Sequence, residues 1–175
     1  MLRDEQNLER GFRILMDQYQ ERLYWHIRRL VVGHDDANDV VQNAFVKVFR
    51  GIRGFEGKSK LYTWMYRIAT NEAITFLQKK SRMAATSIDN EEIDLAARLR
   101  ADAHFDGEEA EVQLQRALHE LPEKQRLVFN LRYFDEMNYQ DMSEVLGTSV
   151  GALKASYHHA VKKIERYVRE VGSNY

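Results

Sequence analysis

The 175-residue chain is predicted to be all-α, with two small helical domains joined by an acidic linker. Three observations predict it. Apolar residues return at steps of three or four along most of the chain, which is helical periodicity. A single proline and the absence of any glycine- or proline-rich run leave few points that interrupt a helix. Charge changes sign in mid-chain: residues 47–82 hold nine Lys or Arg against two acids, net +7, whereas residues 81–116 hold four against nine, net −5. The boundaries follow that switch, with a domain over 1–82, a linker over 83–110 and a second domain over 111–175.

The first helix is predicted from Glu5 to Val31, because Leu8, Phe12, Leu15, Tyr19, Leu23, Ile27 and Leu30 share one face. Gly33 to Asp36 interrupts it, and either aspartate can cap the helix that follows. That helix is placed at 36–49, with Ala37, Val40, Val41, Ala44, Phe45 and Val48 as its apolar stripe. Its other face carries Asn38, Asp39, Gln42, Asn43 and Val46. Such a face is either plain solvated surface or a docking face, since amides both donate and accept hydrogen bonds.

Gly51 and Gly54 bracket a turn into the densest run of rings and cations in the chain, Phe55 to Asn71. A loop containing Gly57 enters a helix near Leu61, with Ser59 or Lys60 near its start. At 100° per residue, Lys60, Trp64, Arg67, Asn71 and Gln78 fall on one stripe, and Leu61, Met65, Ile68, Ala69 and Phe76 on another. The second stripe is ordinary core. The first suits a single nucleic-acid strand: cations track phosphates, rings stack on unpaired bases and amides bond base edges. The bland reading is a solvated helix whose tryptophan leans on a neighbour. The domain over 1–82 is predicted as a four-helix bundle of about 80 residues, enough for a modest core.

Over 83–110 periodicity weakens and acids collect, as in a flexible tether; a sharper reading is an acidic strand that competes for a basic channel. A new helical pattern starts at Glu111, and Pro122 is expected in the first turn of the next helix. Leu127, Val128 and Leu131 continue its buried face. Residues 138–160 then read as a helix-turn-helix: Asn138 as cap, Tyr139, Met142, Val145 and Leu146 inward, Gly147 in a tight turn and Ser149 as the second cap. The last helix buries Val150, Leu153, Tyr157, Val161, Ile164 and Val168, and exposes Ala152, Ala155, Ser156, His159, Lys162, Lys163 and Arg166, with Lys154 at the edge. Small residues early and cations later fit a groove wall followed by phosphates.

Composition narrows the function classes. The net charge of −1 hides the asymmetry above, so a neutral total does not argue against nucleic acid. No cysteine is present, which excludes disulfides and thiol chemistry and fits a reducing compartment. The start, Met-Leu-Arg-Asp-Glu-Gln, has no apolar signal core, and a cytoplasmic protein is expected. The histidines, at 26, 34, 104, 119, 158 and 159, show no metal-ligand spacing with carboxylates, and there is no phosphate loop or nucleophile elbow. No enzyme, cofactor or metal is expected.

Asp36-Ala-Asn-Asp-Val-Val-Gln-Asn-Ala-Phe45 and the run from Phe55 to Asn71 resemble region two of the small extracytoplasmic-function (ECF) sigma-70 factors of bacterial RNA polymerase. Leu121-Pro122 with residues 138–164 resembles region four. The resemblance implies a core-polymerase docking face at Asp39, Gln42 and Asn43, where the family commonly has glutamate at the last position. It implies capture of an unpaired non-template base at the minus-ten element by Phe55, Glu56, Gly57, Lys58, Ser59, Lys60, Tyr62, Trp64, Arg67 and Asn71, with Glu56 standing where a cation is frequent. Upstream duplex at the minus-thirty-five element would be read by Ala152, Lys154, Ala155, Ser156, His158, His159 and Lys162. Two or three of the family's cations are missing there, which predicts weaker phosphate anchoring or a different element.

The partners so implied are core RNA polymerase, promoter DNA and an anti-sigma factor, with no small-molecule substrate and no membrane insertion. A free-standing helix-turn-helix regulator is the competing reading. It needs only the second domain and predicts a dimer on a palindrome.

Overall fold

The computed structural model describes residues 5–86 and 109–172, and every element among them is helical. They form two compact units. The first is built on α1 (Glu5–Val31), α2 (His34–Gly51), a 3-10 turn (Ile52–Gly54) and α3 (Leu61–Thr86). The second is built on α4 (Glu109–His119), α5 (Glu123–Tyr133), α6 (Tyr139–Leu146) and α7 (Val150–Gly172). The expected acidic linker over 83–110 lies almost wholly outside the described residues. Three long helices and the 3-10 turn stand where a four-helix bundle was expected, among the described residues.

In the first unit α2 packs on both α1 and α3, and α1 also meets α3. The predicted stripe of α2, Ala37, Val40, Val41, Ala44, Phe45 and Val48, is buried throughout. Leu23, Ile27 and Leu30 of α1 are at most 1% exposed, and each such side chain contributes roughly 2 kcal/mol by leaving water. From α3 come Met65, Tyr66, Ala69 and Ala73. One polar link crosses this core: buried His26 Nε2 and Thr70 Oγ1 lie 2.9 Å apart, tying α1 to α3.

Neither aspartate caps α2. The N-cap is Gly33, with no side-chain cap bond, and Asp35 and Asp36 fall in the first turn instead. There they face the positive end of the helix dipole, and Asp36 Oδ2 accepts from Lys80 Nζ at 2.6 Å, which fastens α2 to the far end of α3. The break from α1 is short because Val32 takes φ +66°, a left-handed conformation that a β-branched residue rarely adopts.

In the second unit α7 packs on α4 and α5. Ala117, Leu118, Leu121, Phe129, Ala160 and Ile164 form its core, and the Phe129 ring is stacked between Tyr133 (5.1 Å) and Tyr157 (5.8 Å). Pro122 is the N-cap of α5 rather than a residue of its first turn, and its carbonyl accepts from the amides of Gln125 and Arg126. Val168, expected on the buried side of α7, is 47% exposed.

The helix-turn-helix is fixed by local chemistry. Asn138 Oδ1 accepts from the Asp141 amide at 2.9 Å while its Nδ2 donates to Asp141 Oδ2 at 2.7 Å, a reciprocal cap. Gly147 ends α6 at φ +62°, where any Cβ is strained. Ser149 Oγ accepts from the Ala152 amide at 3.3 Å and starts α7.

His119, at the end of α4, is largely buried and its Nδ1 accepts from Arg126 Nη1 at 3.2 Å. Burial first, and the neighbouring Arg126 charge second, push its pKa down to about 4. Below the ordinary value of 6.5 the unfolded chain therefore takes up a proton that the folded chain refuses until about pH 4. Stability is complete above that window and falls through it, by roughly 1 kcal/mol per pH unit. Urea unfolding followed by helical circular dichroism should show this loss between pH 6.5 and 4.5, and His119→Gln should remove that part of it. An identical pH dependence in both proteins would refute the assignment.

Candidate nucleic-acid interface

Three exposed surfaces gather the residues singled out from the sequence. On α2, Asp39, Gln42 and Asn43 are all exposed on the face opposite the buried stripe. Asn38 is not part of that offering: it is half-buried and its Nδ2 donates to His34 Nε2 at 3.0 Å. The face extends further than the polar residues suggest. Val46 and Phe49, 46% and 39% exposed, continue it, and with Phe12, Met16 and Gln42 they line an open apolar groove of about 710 Å³ between α1 and α2. Sequence reasoning missed this groove. Its signal was present in Val46 and Phe49, two large apolar residues that lie off the buried stripe of an otherwise polar face.

The second surface is the loop before α3 and the first turns of that helix. Two backbone bonds anchor its ends, from the Phe55 amide to the Ile52 carbonyl at 3.2 Å and from the Trp64 amide to the Lys60 carbonyl at 3.1 Å. Gly57 turns the loop at φ +73°. Glu56 pairs with Lys58 across it, both side chains exposed. Ser59 is half-buried. Lys60 is exposed with its ammonium 5.7 Å from the ring of Tyr62, which itself packs edge-on against Tyr66.

On α3 the predicted stripe is present, with one correction. Lys60, Arg67, Asn71 and Gln78 are exposed, but Trp64 is half-buried. Its ring lies 5.1 Å from that of Phe55, and a Cβ added at Gly51 would come within 3.1 Å of Trp64 Cζ2. Trp64 thus leans on a neighbouring element, and what periodicity marked as a stacking platform is in large part a prop for the loop. Of the two acids in this basic segment, Glu72 is taken by Lys47, leaving Glu56 as the exposed one.

The third surface is α7. Ala152, Lys154, Ala155, His158, His159 and Lys162 are exposed and Ser156 is half-buried. The two imidazoles are adjacent, with ring centroids 6.1 Å apart. Lys154 and Arg132 both sit over the Tyr139 ring, at 5.7 and 5.4 Å, so the start of α7 carries one more cation than the sequence reading assigned it. Arg132 comes from α5, and only the packing of helices could reveal it.

Comparison with known proteins matches two stretches of the chain to family models. Residues 15–83 match sigma-70 region 2 and residues 111–164 match sigma-70 region 4. The ECF RNA polymerase sigma-E factor of Haemophilus influenzae is 30% identical over 175 residues, covering 95% of this chain and 92% of that protein. Among solved structures, the sigma factor RpoE of Bartonella quintana in complex with the anti-sigma factor NepR has the same fold, with a TM-score of 0.73, 21% identity and coverage of 91% of this chain and 97% of that one. CnrH in complex with the cytosolic domain of CnrY is similar, with a TM-score of 0.71, 23% identity and coverage of 93% and 90%. The match over 15–83 accounts for the half of the chain that a free-standing helix-turn-helix regulator leaves without a role. The chain belongs to the ECF group of sigma-70 factors, and it is a non-enzymatic alternative sigma factor that directs promoter-specific transcription initiation.

Proposed function

We propose that this sigma factor divides its work among the three surfaces. Asp39, Gln42 and Asn43, with the adjoining groove at Val46 and Phe49, dock core RNA polymerase. The Phe55–Lys60 loop with Tyr62, Arg67 and Asn71 holds the unpaired non-template strand of the minus-ten element, and Trp64 holds the loop. Ala152, Lys154, Ala155, Ser156, His158, His159 and Lys162 enter the major groove of the minus-thirty-five duplex.

One observation carries this reading: Arg67 and Asn71 are exposed on a single face of α3, with Lys60 exposed just before the helix and an exposed loop beside it, while the opposite face is core. Cations there follow the backbone of a strand, and an extruded base returns about 1–3 kcal/mol on stacking, which offsets the cost of leaving the duplex. The reaction itself belongs to the polymerase. An anti-sigma factor is the further partner we assign, supported by the solved neighbour that is bound to one. The assembly works in the cytoplasm, and no helix among the described residues is long and apolar enough to cross a membrane.

Two outcomes test these roles. Replacing Arg67 and Asn71 together by Ala should lower the permanganate reactivity of minus-ten thymines roughly tenfold, the loss of about 1.4 kcal/mol, with little change in polymerase binding. Equal reactivity with both proteins would contradict the strand-holding role. Asp39→Ala with Gln42→Ala should weaken polymerase binding about tenfold in a pull-down titration, and Val46→Asp should add to the loss, with helical content unchanged. An unchanged affinity would remove the docking assignment.

A further inference from the structure

We propose that His158 and His159 make duplex binding by α7 proton-dependent: the complex takes up protons that the free chain lacks, so upstream DNA is held more tightly at about pH 6 than at about pH 8. The inference rests on the reading of α7 as the helix that meets duplex.

The two rings sit where the line of lysines along α7 is interrupted. Lys154, His158 and Lys162 follow one another at steps of four residues and are all exposed, so they form one row along the helix, with His159 exposed beside its middle. The rings are neighbours, with centroids 6.1 Å apart, and among the described residues neither has a hydrogen bond or an ion pair. The titratable groups of the other helices in this unit are engaged elsewhere: His119 is bound by Arg126, Arg132 lies over Tyr139, Tyr133 stacks on Phe129 and Asp141 is tied to Asn138. At helical spacing on α7 itself, the charged residues within reach of the rings are Lys154, Lys162 and Lys163, all cations.

A neutral imidazole carries one donor and one acceptor and no charge, whereas the protonated ring carries two donors and a positive charge. Facing phosphate oxygens, only the second form adds a cation to the row. The phosphates stabilise that form where the free chain offers only lysines, so the complex binds more protons than the free chain. Linkage then fixes the sign: affinity rises as pH falls. Lysines alone carry the row at alkaline pH, and two imidazoliums join them towards acid pH. Histidine is the side chain suited to make this change near neutrality.

The test measures the affinity of reconstituted holoenzyme for a promoter fragment recovered by run-off transcription with this protein, its upstream element kept as duplex. Fluorescence anisotropy is read between about pH 8 and pH 6 and over a salt series. Wild type is compared with His158→Gln plus His159→Gln, and with Lys154→Ala plus Lys162→Ala. Ratios of affinities remove the pH dependence of the polymerase and of His119, which all three share. From about pH 8 to pH 6 the affinity of wild type relative to the glutamine variant should rise about tenfold. Its salt slope should steepen by roughly 0.9 for each ring that reaches a phosphate. A ratio that stays constant with pH, while the lysine variant binds more weakly than wild type, would overturn this inference alone. Unweakened binding by both variants at every pH would overturn it together with the duplex reading of α7.

Discussion

The burial of one face of α2 is the constraint on which the first unit depends. Ala37 and Ala44 are small enough, and Val40, Val41, Phe45 and Val48 apolar enough, to seat this helix against both α1 and α3. With that face committed to the core, the opposite one must meet solvent or a partner. Asp39, Gln42, Asn43, Val46 and Phe49 occupy it, and the same packing brings Phe12 and Met16 of α1 alongside to form the groove. The end of α2 also sets the position of the loop, since Gly51 leaves the space that Trp64 fills. One helix therefore orients the proposed docking face and the proposed strand-facing loop together.

The second unit rests on a different device. Its helix-turn-helix is defined by short-range bonds at Asn138, Gly147 and Ser149, and the stack of Tyr133, Phe129 and Tyr157 ties α5 to α7. The recognition helix is thus held at its start by caps and along its length by rings. Beside Lys154, the Tyr139 ring also holds Arg132 of α5, one cation more than α7 itself supplies there. Phosphate contacts set affinity and its salt dependence, whereas in the proposed duplex contact the small exposed residues Ala152 and Ala155 would set how closely the helix approaches bases.

Features governed by local chemistry were legible in the sequence. The run of α1 to Val31 follows from an uninterrupted apolar register, and the turn at Gly147 follows from a residue that adopts positive φ without strain. The buried stripe of α2 was likewise readable residue by residue. What escaped depends on neighbours distant in the chain. Periodicity places Trp64 with Lys60 and Arg67, but Gly51 decides that its ring is half covered. The groove at Val46 exists only because α1 supplies its other wall, and the burial of His119 beside Arg126 reflects the packing of α4 and α5. The cap of α2 failed for a subtler reason: a helix can begin ahead of its acids when a glycine supplies the extended N-cap, leaving the acids to interact with the dipole.

The most direct test of the account is run-off transcription from a library of genomic fragments by sigma-free bacterial core polymerase, with and without this protein. The account predicts discrete start sites that appear only on its addition and align on two upstream elements. Absence of any start with a homologous core polymerase, while the protein alone footprints duplex DNA, would contradict it.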